Sequence, residues 1–489
     1  MKRNKLFIFL LVALLLTALP LTGCGQAEAE TESTADTTSS TETVTAETET
    51  TRSLAVASAD YGGETFRSLC FTQDSPGTMK QYLDLGWSEE HTGEVLNDAI
   101  FNRNLRVEED FNVVIEWSET ADVAATAKTS IIAGETDYNI VQVYINDAVN
   151  MGQDGSLWNL VPLLDLEAAH WDPAIQRDLT MGGKLFCIAG DLTLGEEELN
   201  YGVYYNKALV DQYGLEDPYA MVDDGKWTLD VMYTAAQGAT YDMNGDGTLD
   251  TNDAYGIGSD YHLSAVLFYG TGGQLARVSD DGSPEIVLNS ERNTSVIEKL
   301  ATMYSDRNAS VMVADIGSDG WTILDNMLME DRLLFRPGSI YDINLYREMI
   351  SDFGILPNPK WDESQTDYCH IIASNVCPAI SVPITITDEQ LTHTTVLLEA
   401  LSFYSDSVVE AYYDVNLTTK LVRDAQSSAM FDIIFDTQYY DLGKVFAWGN
   451  IEDVIANTVR AGGGFASNYA KQESQILDAM NKSWEFYQD

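Results

Sequence analysis

Five side chains with oxygen donors recur through one short stretch. Asp242, Asn244, Asp246, Asp250 and Asp253 lie within Asp-Met-Asn-Gly-Asp-Gly-Thr-Leu-Asp-Thr-Asn-Asp. Counted from Asp242 they take positions 1, 3, 5, 9 and 12; Gly247 stands at position 6, where the chain must turn sharply, and Thr248 at position 7 offers its backbone carbonyl. A calcium ion takes roughly six to eight hard oxygens, and this spacing can deliver them from a single segment. Magnesium suits it less, because that ion keeps several of its waters. A solvated Asn/Asp/Gly turn is the competing reading of the same residues.

The loop resembles the EF-hand and dockerin calcium loop, with Asp253 where that pattern has Glu, so two-oxygen binding at the last position is weakened. A dockerin carries a second copy on a repeated helix, and none occurs in the chain. Tyr255-Gly256-Ile257-Gly258 reads as a strand and not as a second flanking helix, which points to a structural staple, not a sensor. Other chemistry is thin. The chain has no His-Glu-x-x-His, Gly-x-Ser-x-Gly or Gly-x-x-x-x-Gly-Lys-Ser/Thr, the patterns of zinc, acyl-transfer and phosphate sites. Paired carboxylates prove nothing among 77 acidic residues. Those 77 stand against 27 Lys and Arg in 489 residues, a formal charge of −50. Binding nucleic acid by counterion release needs a basic face, so it is excluded, as is charge-driven docking on anionic lipid. With 45% hydrophobic and 10% aromatic residues the chain is still globular in composition.

At the N-terminus, Lys2, Arg3 and Lys5 precede an apolar run from Leu6 to Leu21, short for a membrane span. Leu21-Thr22-Gly23-Cys24 follows and resembles the lipobox of bacterial lipoproteins. The resemblance implies cleavage before Cys24, a diacylglyceryl group on its thiol, and anchorage to the outer face of the cytoplasmic membrane; an ordinary secretory signal is the alternative. Residues 25 to about 60 are almost entirely Glu, Thr, Ser and Ala, too polar to offset their ordering entropy, and read as a disordered tether. From Tyr61 onward 69 acids remain against 23 bases. Cys70, Cys187, Cys369 and Cys377 contain no CxxC pair and read as buried free thiols or one disulfide.

The elements that must position a site follow from periodicity. Phe66–Phe71, Val113–Trp117 and Asn139–Val143 read as strands, separated by helices over Thr92–Asn112 and Val123–Ala133. This β-α-β-α-β order implies a parallel sheet with right-handed crossovers, and ligands bind beyond the carboxyl ends of such strands. That singles out Gln73, Asp74, Tyr144, Asn146 and Asp147. Thr387 with Gln390 forms a capping box that opens a helix from Asp388.

Further on come Tyr204-Tyr205-Asn206-Lys207, Tyr213-Gly214-Leu215-Glu216-Asp217-Pro218 and Trp227-Thr228, then Asp331 to Tyr341, Phe353 to Lys360 and Ile380-Ser381-Val382-Pro383. This ordered series resembles the extracellular solute-binding proteins of ABC importers, family 1, which include sugar binders. The resemblance implies an α/β, two-lobed periplasmic-binding-protein-like (type II) fold with a hinge. The signal peptide would span 1–23, the tether 24–60, the first lobe 61–190 with about 372–420, and the second about 191–371 with about 421–489. It also implies a monomeric receptor without chemistry of its own, taking a mono- or oligosaccharide and serving an ABC permease. Carried over position by position, the site would include Asp74, Tyr144 and Asn146 from the first lobe, with Tyr341 and Trp448 as aromatic platforms. For each aromatic, core packing is the competing reading, and for Trp87 and Trp171 the favoured one. Glu196, Glu197 and Glu198 fall where the chain should cross between lobes; they read either as a negative lining that favours hydroxylated or cationic solutes, or as a solvated loop. A surface-anchored glycan hydrolase is the alternative function.

Overall fold

Apolar runs bounded by turns become strands, and the amphipathic stretches between them become helices. Glu64–Phe71 is buried on both faces over most of its length. It pairs in parallel with Val113–Thr120 on one side and Ile140–Tyr144 on the other. Pro378–Ser381 joins that sheet antiparallel to Ile140–Tyr144. The helix Val95–Phe111 lies between the first two strands, opened by Glu94, which accepts the Asn97 N–H, and closed by Asn112 in the left-handed conformation. In the computed structural model the described residues are 54, 56, 59–72, 88, 90–413, 417 and 425–488, and from Leu54 they make one compact unit. The signal peptide, Cys24, most of the tether, Gln73, Asp74 and Trp87 lie outside them. No described helix is long and apolar enough to cross a membrane.

A second sheet runs Phe353–Leu356, Tyr201–Asn206, Leu333–Ser339, Tyr255–Ser259, Ser310–Met312. Tyr201–Asn206 is antiparallel to both of its neighbours, so this sheet is mixed. Each sheet has its own core. Phe66, Val143, Ile380 and Leu398 belong to one, Tyr204, Ile257, Phe335 and Leu356 to the other. The helix Leu229–Ala239 packs so tightly on the second sheet that a Cβ on Gly256 would lie 2.2 Å from the Ala236 backbone. Each sheet thus buries its own block of apolar surface.

The lobes exchange residues near the C-terminus. Val454, Ile455 and Val459 pack with the second core, as a second-lobe segment 421–489 would, whereas Leu442, Val445, Trp448 and Tyr487 pack with the first. The four cysteines Cys70, Cys187, Cys369 and Cys377 are free thiols, and only Cys369 is partly exposed.

The stretch Gly190–Asn200 leads from the first sheet's elements into the strand Tyr201–Asn206 of the second. Gly190 has φ +152°, and a Cβ there would lie 2.3 Å from the His170 carbonyl oxygen, so only glycine fits. His370–Ile371 pairs in parallel with Gln438–Tyr439 as a two-stranded sheet of its own. The His370 ring is buried, its Nε2 accepts the Asn358 N–H at 3.0 Å, and its Nδ1 lies 2.7 Å from Thr437 Oγ1. Thr437 Oγ1 donates to the Ile433 carbonyl, so His370 Nδ1–H donates to Thr437 and the ring is neutral.

Burial depresses the His370 pKa from 6.5 to about 3. An unfolded chain takes up the proton first, so this histidine contributes stability that is complete above about pH 6.5 and declines as the pH falls toward 3. We expect urea unfolding to show a loss of about 1.4 kcal/mol per pH unit through that window, absent in His370→Gln. An identical pH slope in both proteins would refute this role.

Candidate functional site

At the carboxyl end of the first sheet, Phe71 and Tyr144 stack with ring centroids 4.5 Å apart. Thr72 N–H donates to the Thr120 carbonyl and ties the end of the first strand to the end of Val113–Thr120. Tyr144 is half-buried and its hydroxyl is pushed up to about 12, by burial and then by the Asp147 carboxylate. Asp147 is itself raised, by burial and then by Asp122. Asn146 is the second residue of the next helix, Ile145–Gln153, with its N–H 3.4 Å from the Ser374 carbonyl and its amide Nδ2 3.3 Å from the Lys444 carbonyl. Its Oδ1 is buried without a hydrogen-bond partner among the described residues.

The second lobe presents Tyr341 on a tight turn, Ile340–Asp342, directly after Leu333–Ser339. A capping box fixes the turn: Asp342 accepts the Ser339 N–H at 2.9 Å, and Tyr204 donates its hydroxyl to the Ser339 and Ile340 carbonyls. Although it springs from the second sheet, Tyr341 packs against the first core. Burial raises Asp342 to about 6, with Arg336 acting against it. Trp321 escaped the sequence reading. It begins the helix Gly320–Met329 and is 43% exposed, with the Arg336 guanidinium 5.1 Å from its ring centre. No spacing marks it, because a lone exposed tryptophan has no sequence signature.

A polar cluster around Lys444 also carries no motif. Lys444 Nζ bonds both carboxylate oxygens of Glu452, at 2.9 and 3.2 Å. Tyr269 donates to the same carboxylate at 2.9 Å, and the Lys444 ammonium sits 6.0 Å from the Tyr269 ring centre. Burial alone would lower the Lys444 pKa, but Glu452 and then Tyr201 more than offset it, so the ammonium is held charged. Asn146 from the first lobe touches this cluster through the Lys444 backbone.

Two expectations need correction. Trp448 is not a platform for solute: it is 3% exposed, donates its indole N–H to Ser483 Oγ at 2.8 Å, and stacks on Phe446. An aromatic next to a helix that must be covered is drawn into the core. The Glu196–Glu198 stretch is not a solvated loop, since Gly195–Glu198 forms a helical turn with Glu196 and Glu198 buried. Glu196 accepts the Thr193 hydroxyl at 2.7 Å. Burial, then Glu197 and Asp172, holds its carboxyl well above the usual range. Trp171 is buried in the first core.

The Asp242–Asp253 loop joins the helix Leu229–Ala239 to the strand Tyr255–Ser259, its ends tied by the Tyr241–Ala254 bridge. Gly245 and Gly247 take positive φ, and Asp242 accepts their N–H groups at 2.6 and 2.7 Å. Asn244, Asp246 and Asp250 each accept the N–H two residues on, at 2.8 Å. Both oxygens of Asp253 take loop N–H groups, from Met243 and Asp250. The backbone and the hard-oxygen donors therefore fit a calcium loop. The carboxylates do not close on one point, for no group of three or more His, Cys, Asp or Glu among the described residues stands where it could hold a metal.

No protein-family model and no curated protein sequence matches the chain. Its fold does match solved structures. A cyclo/maltodextrin-binding protein complexed with maltotetraose superposes with a TM-score of 0.56 at 11% identity, over 87% of this chain and 96% of its own. A sugar transporter protein from Rhizobium etli, in an open conformation, gives 0.56 at 15% identity, over 86% and 99%. UgpB from Mycobacterium tuberculosis, in complex with glycerophosphocholine, gives 0.51 at 13% identity, over 86% and 99%. The body thus shares the mixed α/β fold of these binding proteins.

Glu452 should matter through Lys444, whose side chain is only 12% exposed. Glu452→Gln leaves that ammonium without its counter-ion and is expected to lower stability by about 1–3 kcal/mol in urea at neutral pH. Adding Lys444→Met should restore part of the loss. If the two substitutions simply add, the pair does not act as a unit.

Proposed function

We propose that the protein is a solute receptor whose lobes close over a carbohydrate and hand it unchanged to an ABC permease. What supports this reading is a set of aromatic rings and hydroxyl acceptors, carried by elements of both sheets, that are left at least partly exposed. Tyr144, Tyr341 and Trp321 offer rings to the weakly apolar faces of a sugar, and Asn146, Asp147 and Glu452 offer acceptors to its rim. The fold supports it too, since two of the matched structures are named for maltodextrin or sugar, though the third holds glycerophosphocholine. Fold alone does not choose the ligand. The acids around the cleft, with Lys444 neutralised by Glu452, favour neutral or amino sugars over uronic acids. Asp74, outside the described residues, follows the first strand and belongs to the same proposal. A lipid on Cys24 would keep this monomeric receptor at the outer face of the membrane, beside the permease. The hydrolase alternative gains no support from the fold.

Calorimetric titration of the full chain with mono- and oligosaccharides tests this. At least one should bind and be recovered intact, and Tyr341→Ala should weaken it by about tenfold or more. Recovered cleavage products, or no binding by any sugar, would count against the receptor.

We also propose that the loop takes calcium as a staple, through side-chain oxygens of Asp242, Asn244, Asp246, Asp250 and Asp253 and the Thr248 carbonyl. Bound metal would draw the carboxylates inward and stabilise the folded chain by mass action. Millimolar calcium should raise the melting midpoint of the parent, and Asp242→Ala with Asp246→Ala should remove the increase. Equal stabilisation of both proteins would place the calcium elsewhere.

A further inference from the structure

A hairpin breaks the division between the two cores. In sequence it lies between the helices Ser264–Gly270 and Glu291–Ser305, which pack with the second core through Leu267, Phe268, Val296 and Ile297. Ala276–Val278 and Pro284–Ile286 pair antiparallel to form it. Leu275 and Leu288, at its root, belong to the second core, yet Ala276 belongs to the first and the half-buried Val278 packs against that core. The hairpin is thus an arm that leaves one block and lies on the other.

Its two ends are fastened differently. At the root, Asp441 accepts the Leu275 N–H at 2.7 Å and the Ala276 N–H at 3.4 Å, and Asn293 donates through Nδ2 to the Gln274 and Val287 carbonyls. The Leu275 carbonyl accepts the N–H groups of Val287 and Leu288, at 2.9 and 3.1 Å. Leu275 and Asp441 are buried, so water cannot replace these partners. At the tip, Asp281 Oδ1 lies 2.6 Å from the Ser279 and Ser283 hydroxyls and accepts the Ser283 N–H at 3.1 Å, which folds the turn locally.

The folded tip reaches the first block through its backbone. The Gly282 carbonyl accepts the Gly182 N–H at 3.0 Å. Gly182 sits in the turn between Met181 and Lys184, and its neighbours Met181 and Leu185 are in the first core. A Cβ on Gly182 would lie 2.5 Å from the Tyr487 carbonyl oxygen, so the end of the last helix, Phe465–Gln488, backs that turn closely. Gly182 is nevertheless exposed, and water can take the place of the Gly282 carbonyl at small cost. A buried root and a solvent-exposed tip bond make an arm that releases at one end only.

We propose that the hairpin Ala276–Ile286 is a releasable strap: its root stays fixed in the second core, its tip clips to Gly182, and the clip limits how far the two blocks part. This rests on the receptor reading only in requiring that the blocks move, and it is independent of the solute.

Two variants test it on the full chain without any sugar. Replacing Ser279–Ser283 by Asn-Gly gives a two-residue turn too short to reach Gly182, and Asp281→Ala loosens the tip in place. Separation is read by double electron–electron resonance between spin labels at Ile132→Cys and Ile350→Cys, exposed positions beside the first and second cores. Cys24→Ser and Cys369→Ser leave only the introduced thiols to label, the other three being buried. In both variants the Gly182 amide should exchange hydrogen about fivefold faster or more than in the parent. The Leu275 amide should be unchanged, and the label distance should shift to longer values. A Gly182 amide that exchanges equally fast in the parent and the short-turn variant would overturn the strap, since no clip then exists in solution. Faster exchange with an unchanged distance distribution would overturn it equally, because unfastening then frees nothing. Should the short turn also speed exchange at Leu275, the root has come undone and the Asp281→Ala comparison decides. Either failure leaves the receptor reading standing, and failure of every sugar to bind would leave the strap standing.

Discussion

The cleft depends on how two buried chain segments satisfy their backbone where they cross between lobes. A crossing segment has left one sheet and has not joined the other, so its N–H and C=O groups need partners of their own. Here His370–Ile371 and Gln438–Tyr439 supply them to each other as a small parallel sheet. The neutral His370 ring extends the tie, reaching the Asn358 N–H that follows the second sheet and the Thr437 hydroxyl beside its own partner strand. The two segments are thereby bonded to each other, and Tyr341, which follows the second sheet's strand, packs against the first core.

Electrostatics around this axis are arranged against the overall charge. A body rich in carboxylates has few cations to place, and several are buried next to a partner. Lys444 is clasped by Glu452, and Arg336 by Asp325 at 3.0 Å, with Tyr346 donating to the same carboxylate. Arg103 is different: it is buried, and among the described residues it bonds neutral oxygens of Asn104 and Ser405. Its surroundings lower its pKa to about 9, so it stays charged at neutral pH. The acids at the crossing do the opposite. Burial, and then the neighbouring Glu197 and Asp172 carboxylates, push the Glu196 carboxyl well above the usual carboxylate range.

Much of the first lobe is legible in the sequence, since its signals are local. The run Phe66 to Phe71, the stripe Leu96, Ile100, Val107 and Phe111, and the Thr387–Gln390 capping box each announce an element within one or two turns, and each is present. The helix stripe nevertheless conceals a division, because Leu96 and Ile100 pack with the second core while Val107 and Phe111 pack with the first. Site residues were harder to read. Tyr144 and Asn146 follow from the strand-end rule, which is topological. Trp448 misleads because whether a tryptophan faces a cleft or a core depends on what covers it, here a helix that contributes Ser483 from 35 residues away. Lys444 and Glu452 meet only after folding. Three successive glutamates look solvated in any window of sequence, and only the neighbouring Pro378 and Cys377, far along the chain, show that Gly195–Glu198 is enclosed.

The last helix, Phe465–Gln488, has a bearing on how such a chain is made. Phe465, Tyr469 and Ile476 complete the second core, while Tyr487, near its end, packs into the first, whose opening strand begins at Glu64. The first lobe is therefore built from residues at the two extremes of the body. Such contacts are distant in sequence and slow to form, so the second core waits for the first half of this helix and the first core for its final turn. A nascent chain with this topology stays incomplete, and open to chaperones or to threading through a pore, for nearly the whole of its synthesis.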